Sequence, residues 1–156
     1  PPPQQIKNAH DLVPSVVTYA SDLLDTFKPQ DLSIFFEWQR FITATGVFIA
    51  VWHMSPEYYH ELSLIVRTDL KDAGGSLLAD FECCADFCRR YFSQIPAEYG
   101  ERWPDLLAAW VATDILKKPF KSIEELSLLR DICADVVKRF SGWWGEKPTH
   151  KELGAD

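Results

Sequence analysis

Apolar and polar positions alternate at helical spacing along almost the whole chain. From Asp11 onward Val16, Ala20, Leu23, Leu24 and Phe27 fall on one face, and Lys28-Pro29 closes the run, which predicts a first helix. Asp31 is placed to cap a second, whose apolar residues start at Leu32, Phe35 and Phe36 and then surround the axis from Phe41 to Trp52. A helix that is apolar on every side belongs at the centre of a domain. The β-branched end of this segment, TGVFIAVW, also fits a buried strand, but no second strand pattern is present to pair with it, so helix is preferred. Along one side run Gln39, Thr43, Gly46 and Ala50, a seam of mostly small residues where a neighbour can approach closely.

The pattern continues with a third helix from about Pro56 to Asp72, stopped by Gly74-Gly75. Ser76 then caps a fourth, LLADFECCADFCRRYF, with a stripe of Leu77, Phe81, Cys84, Cys88 and Phe92, and Pro96 ends it. After a loop, QIPAEYGERW, Pro104 suits the first turn of a fifth helix, PDLLAAWVATDILKK, and Pro119 forbids its continuation. Ser122 and Glu125 form a capping box ahead of a sixth, in which Leu126, Leu129, Cys133, Val136 and Phe140 share a face until Gly142. The predicted fold is all-α: a single-domain antiparallel bundle of about six helices over residues 11–144, with helix two central. Residues 1–10 are expected to be disordered or extended, and 145–156 to form a polar tail.

Charge narrows the partners. The net charge is -7, and residues 55–100 hold 4 basic against 8 acidic side chains, so no nucleic-acid backbone is an expected ligand, a basic protein partner stays open, and a solvated acidic face is the preferred reading. The longest apolar run, Phe41 to Trp52, is far short of the roughly 20 residues that span a bilayer, so no membrane partner is expected. Aromatics make up 13% of the chain, with six Trp, which implies a bulky core, an exposed contact patch, or both. The cysteines fit neither a zinc knuckle nor a disulfide scaffold: Cys84, Cys88 and Cys133 fall on apolar stripes and Cys83 points away. Free thiols acting as small hydrophobes in a reducing, cytoplasmic setting are the expectation.

The stretch WHMSPEYYHEL places Glu57 and His60 at the ExxH spacing of carboxylate-bridged metal centres. No second ExxH accompanies it, and on a helical projection His60 faces about 150° from the apolar stripe, so no metal or cofactor is expected there. Ser55, Pro56 and Glu57 serve instead as a helix start.

The same projection finds two acids on apolar stripes, Asp69 in helix three and Asp114 in helix five. A desolvated carboxylate needs a cation, several donors or its proton. Both therefore bond at the rim of a stripe, or share a small-molecule pocket between helices two, three and five with Gln39 and Thr43. Trp103, Trp143 and Trp144 stand at helix ends, where such rings plug a bundle or anchor a partner. The preferred expectation is a non-catalytic regulatory or protein-interaction module. Its candidate contacts are Trp103, Trp143, Trp144, Glu57 and Glu61, and a homodimer is possible given the small-residue seam.

Overall fold

A computed structural model describes residues 9–27, 32–53, 59–92, 103–117 and 123–144. A 3₁₀ turn, Ala9–Asp11, leads into α1 (Leu12–Phe27), followed by α2 (Leu32–Trp52), α3 (Tyr59–Ala73) and α4 (Leu77–Phe92). The chain ends in α5 (Trp103–Trp110), which continues as a π-helical segment over Val111–Leu116, and α6 (Ile123–Phe140). There is no strand among the described residues, and the bundle is all-helical as the periodicity predicts.

The central position of α2 follows from its sequence. Every residue from Phe41 to Val51 is buried, and α1, α3, α4, α6 and the π-helical segment all pack against this helix. The polar groups it carries inward are mostly satisfied within the helix itself. The Thr45 hydroxyl donates to the Phe41 carbonyl at 2.8 Å, and the buried His53 directs Nδ1 at the Ile49 carbonyl at 2.9 Å. The Thr43 hydroxyl, also buried, has no hydrogen-bond partner among the described residues.

The small-residue seam works at one point above all. A Cβ on Gly46 would stand 2.7 Å from Cγ1 of Val16 in α1 and 3.3 Å from the Phe140 ring in α6. Hydrogen in place of a side chain thus lets two helices reach α2 at the same level. One turn on, the buried Trp144 indole donates its N–H to the Ala50 carbonyl and stacks edge-on with Trp143, centroids 4.6 Å apart. Trp144 is therefore a plug beneath the bundle, and its ring is not a surface anchor.

On the other side, α4 is keyed to α2 by a charge pair the stripe analysis missed. Asp80 is buried and accepts both Arg40 Nε (3.0 Å) and Nη2 (2.9 Å), with the Ser76 hydroxyl at 2.9 Å on the same carboxylate. The hydroxyl read as a helix cap thus serves the Asp80 side chain. The α3–α4 connection turns on Gly74 and Gly75, at φ 86° and 61°, where any Cβ would be strained although nothing crowds it. Arg67 spans the two helices, donating to Glu82 and Ser63 and lying 5.7 Å from the Phe81 ring centroid.

Four features of the helix ends differ from the sequence-based expectation or escape it. Helical structure begins at Ala9, inside the stretch expected to be disordered, because Ala9 is buried and His10 bonds Asp69. The fifth helix widens after Trp110, with the Lys117 N–H reaching back five residues to the Ala112 carbonyl at 3.0 Å. The predicted start of helix three and the Ser122–Glu125 capping box lie outside the described residues.

Two stability measurements follow. Gly46→Ala gains helix propensity worth about 1 kcal/mol but overpacks against a β-branched neighbour, typically costing 1–3 kcal/mol, so a net loss of about 1 kcal/mol is expected in urea unfolding. Adding Val16→Ala to it should recover part of that loss. For the ion pair, Arg40→Met strands the buried Asp80 carboxylate and should cost about 2 kcal/mol, below the usual buried-pair figure because the guanidinium is partly in water. Asp80→Asn leaves Arg40 solvated and should cost less than Arg40→Met.

Candidate functional site

The α1 sequence sorts into three strips. Leu12, Val13, Val16, Ala20 and Leu24 are buried, while Pro14, Ser15, Thr18, Asp22 and Asp25 are exposed. Tyr19 and Leu23 lie half-buried between these strips. In α6, Leu129, Ile132, Cys133, Val136 and Phe140 face inward and Asp135, Lys138 and Arg139 outward. Because Gly46 draws both helices onto α2, their boundary residues meet.

Tyr19 is the centre of that meeting. Its hydroxyl donates to the Asp135 carboxylate, its ring stands edge-on to Phe140 with centroids 5.2 Å apart at 84°, and the Arg139 guanidinium lies 5.3 Å from the ring centroid. Above these groups opens a groove of about 570 Å³. Pro14, Ser15, Thr18, Asp22 and Leu23 line it from α1, and Arg139 from α6.

Burial, and then the Asp135 carboxylate that accepts its proton, push the Tyr19 phenol well above its ordinary value, only partly opposed by Arg139. The hydroxyl therefore remains a donor throughout the physiological range, and its proton is engaged by Asp135. The lining offers two apolar side chains, an aromatic ring, two aliphatic hydroxyls, one acid and one cation.

No family model, curated protein or solved structure matches this chain. The arrangement of its own residues is what bears on function.

The residues singled out from the sequence are scattered around the bundle. Asp69 is at a rim, its carboxylate 2.9 and 3.1 Å from His10 Nδ1. Asp114 is half-buried in the π-helical segment. A π-helix turns less per residue than an α-helix, so the projection that put Asp114 at the centre of the stripe does not hold beyond Trp110. Helix α3 packs on α4, α1, α2 and the 3₁₀ turn, whereas the π-helical segment packs on α5 and α2. The two acids thus belong to separate neighbours of α2, and neither they nor Gln39 and Thr43 line the α1–α6 groove.

Of the candidate contacts, Glu61 is exposed on α3 and Trp143 is half-buried, while Glu57 and the Trp103 side chain lie outside the described residues. His60 is exposed, and no trio of His, Cys, Asp or Glu is arranged to hold a metal among the described residues. Four of the eight acids of the middle third are paired: Asp69 with His10, Asp80 with Arg40, Glu82 with Arg67 and Asp86 with Arg90.

Sequence reasoning passed over Tyr19, Asp135 and Arg139. The available signals were an aromatic at the edge of an apolar stripe and an α1 that carries two acids and no Lys or Arg. The bond between residues 19 and 135 spans 116 positions and is invisible to local periodicity.

The thiols are as expected: Cys84, Cys88 and Cys133 are buried and free, and Cys83 is exposed, with the Trp110 indole N–H 3.5 Å from its sulfur. Burial pushes the Cys84 thiol well up and, with the Asp105 charge, raises Cys133 from 9.0 to about 12. Groups whose pKa rises on folding stabilise the fold fully below the unfolded value and lose that contribution as pH climbs through the folded one. Stability should therefore fall between about pH 9 and 12, and Cys133→Ala should flatten the decline in urea midpoints across that window. At pH 8 an aromatic disulfide reagent should titrate Cys83 in the native protein and the other three only after unfolding.

Proposed function

We propose that this chain is a non-catalytic regulatory module that binds a protein partner through the groove between α1 and α6. The observation that carries this is the open groove itself, with Tyr19 and Arg139 already fixed against each other at its edge. Small-molecule pockets enclose roughly 70–90% of their ligand. A groove that is open along its length covers one side of an occupant and suits a segment of another protein. Tyr and Arg are also the side chains over-represented where partner binding is strongest.

The binding face proposed here differs from the one the sequence suggested. Trp144 is sealed against α2, and half of the middle-third acids are paired within the bundle. Three buried free thiols suit a reducing compartment, and we place the module in the cytoplasm on that ground.

A photo-crosslinking residue at Thr18 should yield a discrete adduct in a lysate of the native cell, and the same residue at the exposed Leu64 of α3 should not. An adduct with a second copy of the chain would make the partner homomeric. Adducts from Leu64 alone would reject the groove as the binding face.

A further inference from the structure

We infer that the π-helical segment Val111–Leu116 is a register device: it holds one residue more than an α-helix would, and the widened turn keeps the Asp114 carboxylate off the apolar face of α5 while Ile115 takes the place that acid would fill. Without a charge at position 114 the segment rewinds as α-helix. None of the residues that line the α1–α6 groove takes part.

The two registers differ in which side chain they turn inward. In an α-helix continued past Trp110 at about 100° per residue, Asp114 would lie about 40° round the axis from Trp110, between it and Leu107 at about 60°. Trp110 and Leu107 are fully buried, so the carboxylate would be desolvated among apolar side chains. Hydrogen bonds that span five residues instead of four turn the chain by roughly 80° per residue. Five such steps bring Ile115 to the same azimuth, about 40°, and leave Asp114 roughly 80° to one side of it. The observed burial follows this second register: Ile115 is 7% exposed, Asp114 is half-buried, and Thr113, on the outer side, is exposed.

The wide register carries a backbone penalty. Its hydrogen bonding is rare in proteins, and Lys117, whose N–H closes the last wide turn on the Ala112 carbonyl at 3.0 Å, sits at φ 52°. Lys117 is the only non-glycine with positive φ among the described residues. Stranding a carboxylate in the core costs more than a widened turn, and that decides the register while residue 114 is charged. No residue type marks the change of pitch in advance; its cause emerges only when burial is compared between the two windings. Because the segment packs on α2, one charge sets how the end of α5 is wound against the central helix.

Two measurements on the whole chain test this. Deleting Thr113 should place Ile115 on the core face of an ordinary α-helix with the acid beside the stripe, so the urea midpoint should stay level or rise. Deleting Ala109, an exposed residue in the regular part of α5, turns the apolar residues before it out of line and should lower the midpoint by roughly 1 M or more. In NMR spectra that detect couplings through hydrogen bonds, the Ala112 carbonyl should couple to the Lys117 amide in the parent and in Asp114→Glu. In Asp114→Leu it should couple to the Leu116 amide instead.

Persistence of the Lys117 coupling in Asp114→Leu would overturn the register reading. So would rewinding in Asp114→Glu, or a fall in midpoint on deleting Thr113 as large as on deleting Ala109. Should Asp114→Leu fail to fold, the comparison of the two deletions decides alone.

Discussion

Gly46 is the constraint on which the rest of the bundle depends. A single missing Cβ on the central helix lets Val16 and Phe140 close on the same turn, and that double contact brings Tyr19 of α1 within reach of α6. Everything at the proposed interaction face is downstream of it. Tyr19 reaches Asp135, packs on Phe140 and lies under Arg139 because its helix has been drawn within reach of α6. The groove is the outer side of an inner packing decision.

The opposite side of α2 is organised by charge. Arg40 and Asp80 set the register of α4 through a forked pair, with Ser76 filling a further lone pair of the carboxylate. Such a pair contributes less to stability than to uniqueness, because a shift of one residue along α4 would leave a carboxylate stranded among apolar side chains. Apolar close packing on one side and a directional ion pair on the other together hold α2 in a single orientation.

The helices were legible in the sequence because amphipathic periodicity is a local property. The stripe residues Val16, Ala20, Leu24, Phe81, Cys84, Cys133 and Phe140 are all buried, and so is the apolar core of helix two. The seam was legible too, since a Gly among small residues on a helix apolar all round has few other uses. What escaped is what depends on distance along the chain. Asp80 reads as a polar residue beside a stripe until Arg40, forty positions earlier, is placed opposite it. Asp114 was misplaced by a change of helical pitch that no residue pattern announces. Tyr19 drew no notice in the sequence, and only the approach of α6 gives it an anion at its hydroxyl and a cation on its ring.

The Trp144 indole that closes on the Ala50 carbonyl joins residues 94 positions apart, and the Tyr19 bond to Asp135 is longer still. A chain emerging from the ribosome would therefore carry α2 with the Gly46 seam uncovered on the α6 side until α6 had been made. Loop closure over such a span has to precede any gain from the contacts it makes. The seam is thus both the keystone of the finished bundle and a patch that must wait for α6 before it is covered.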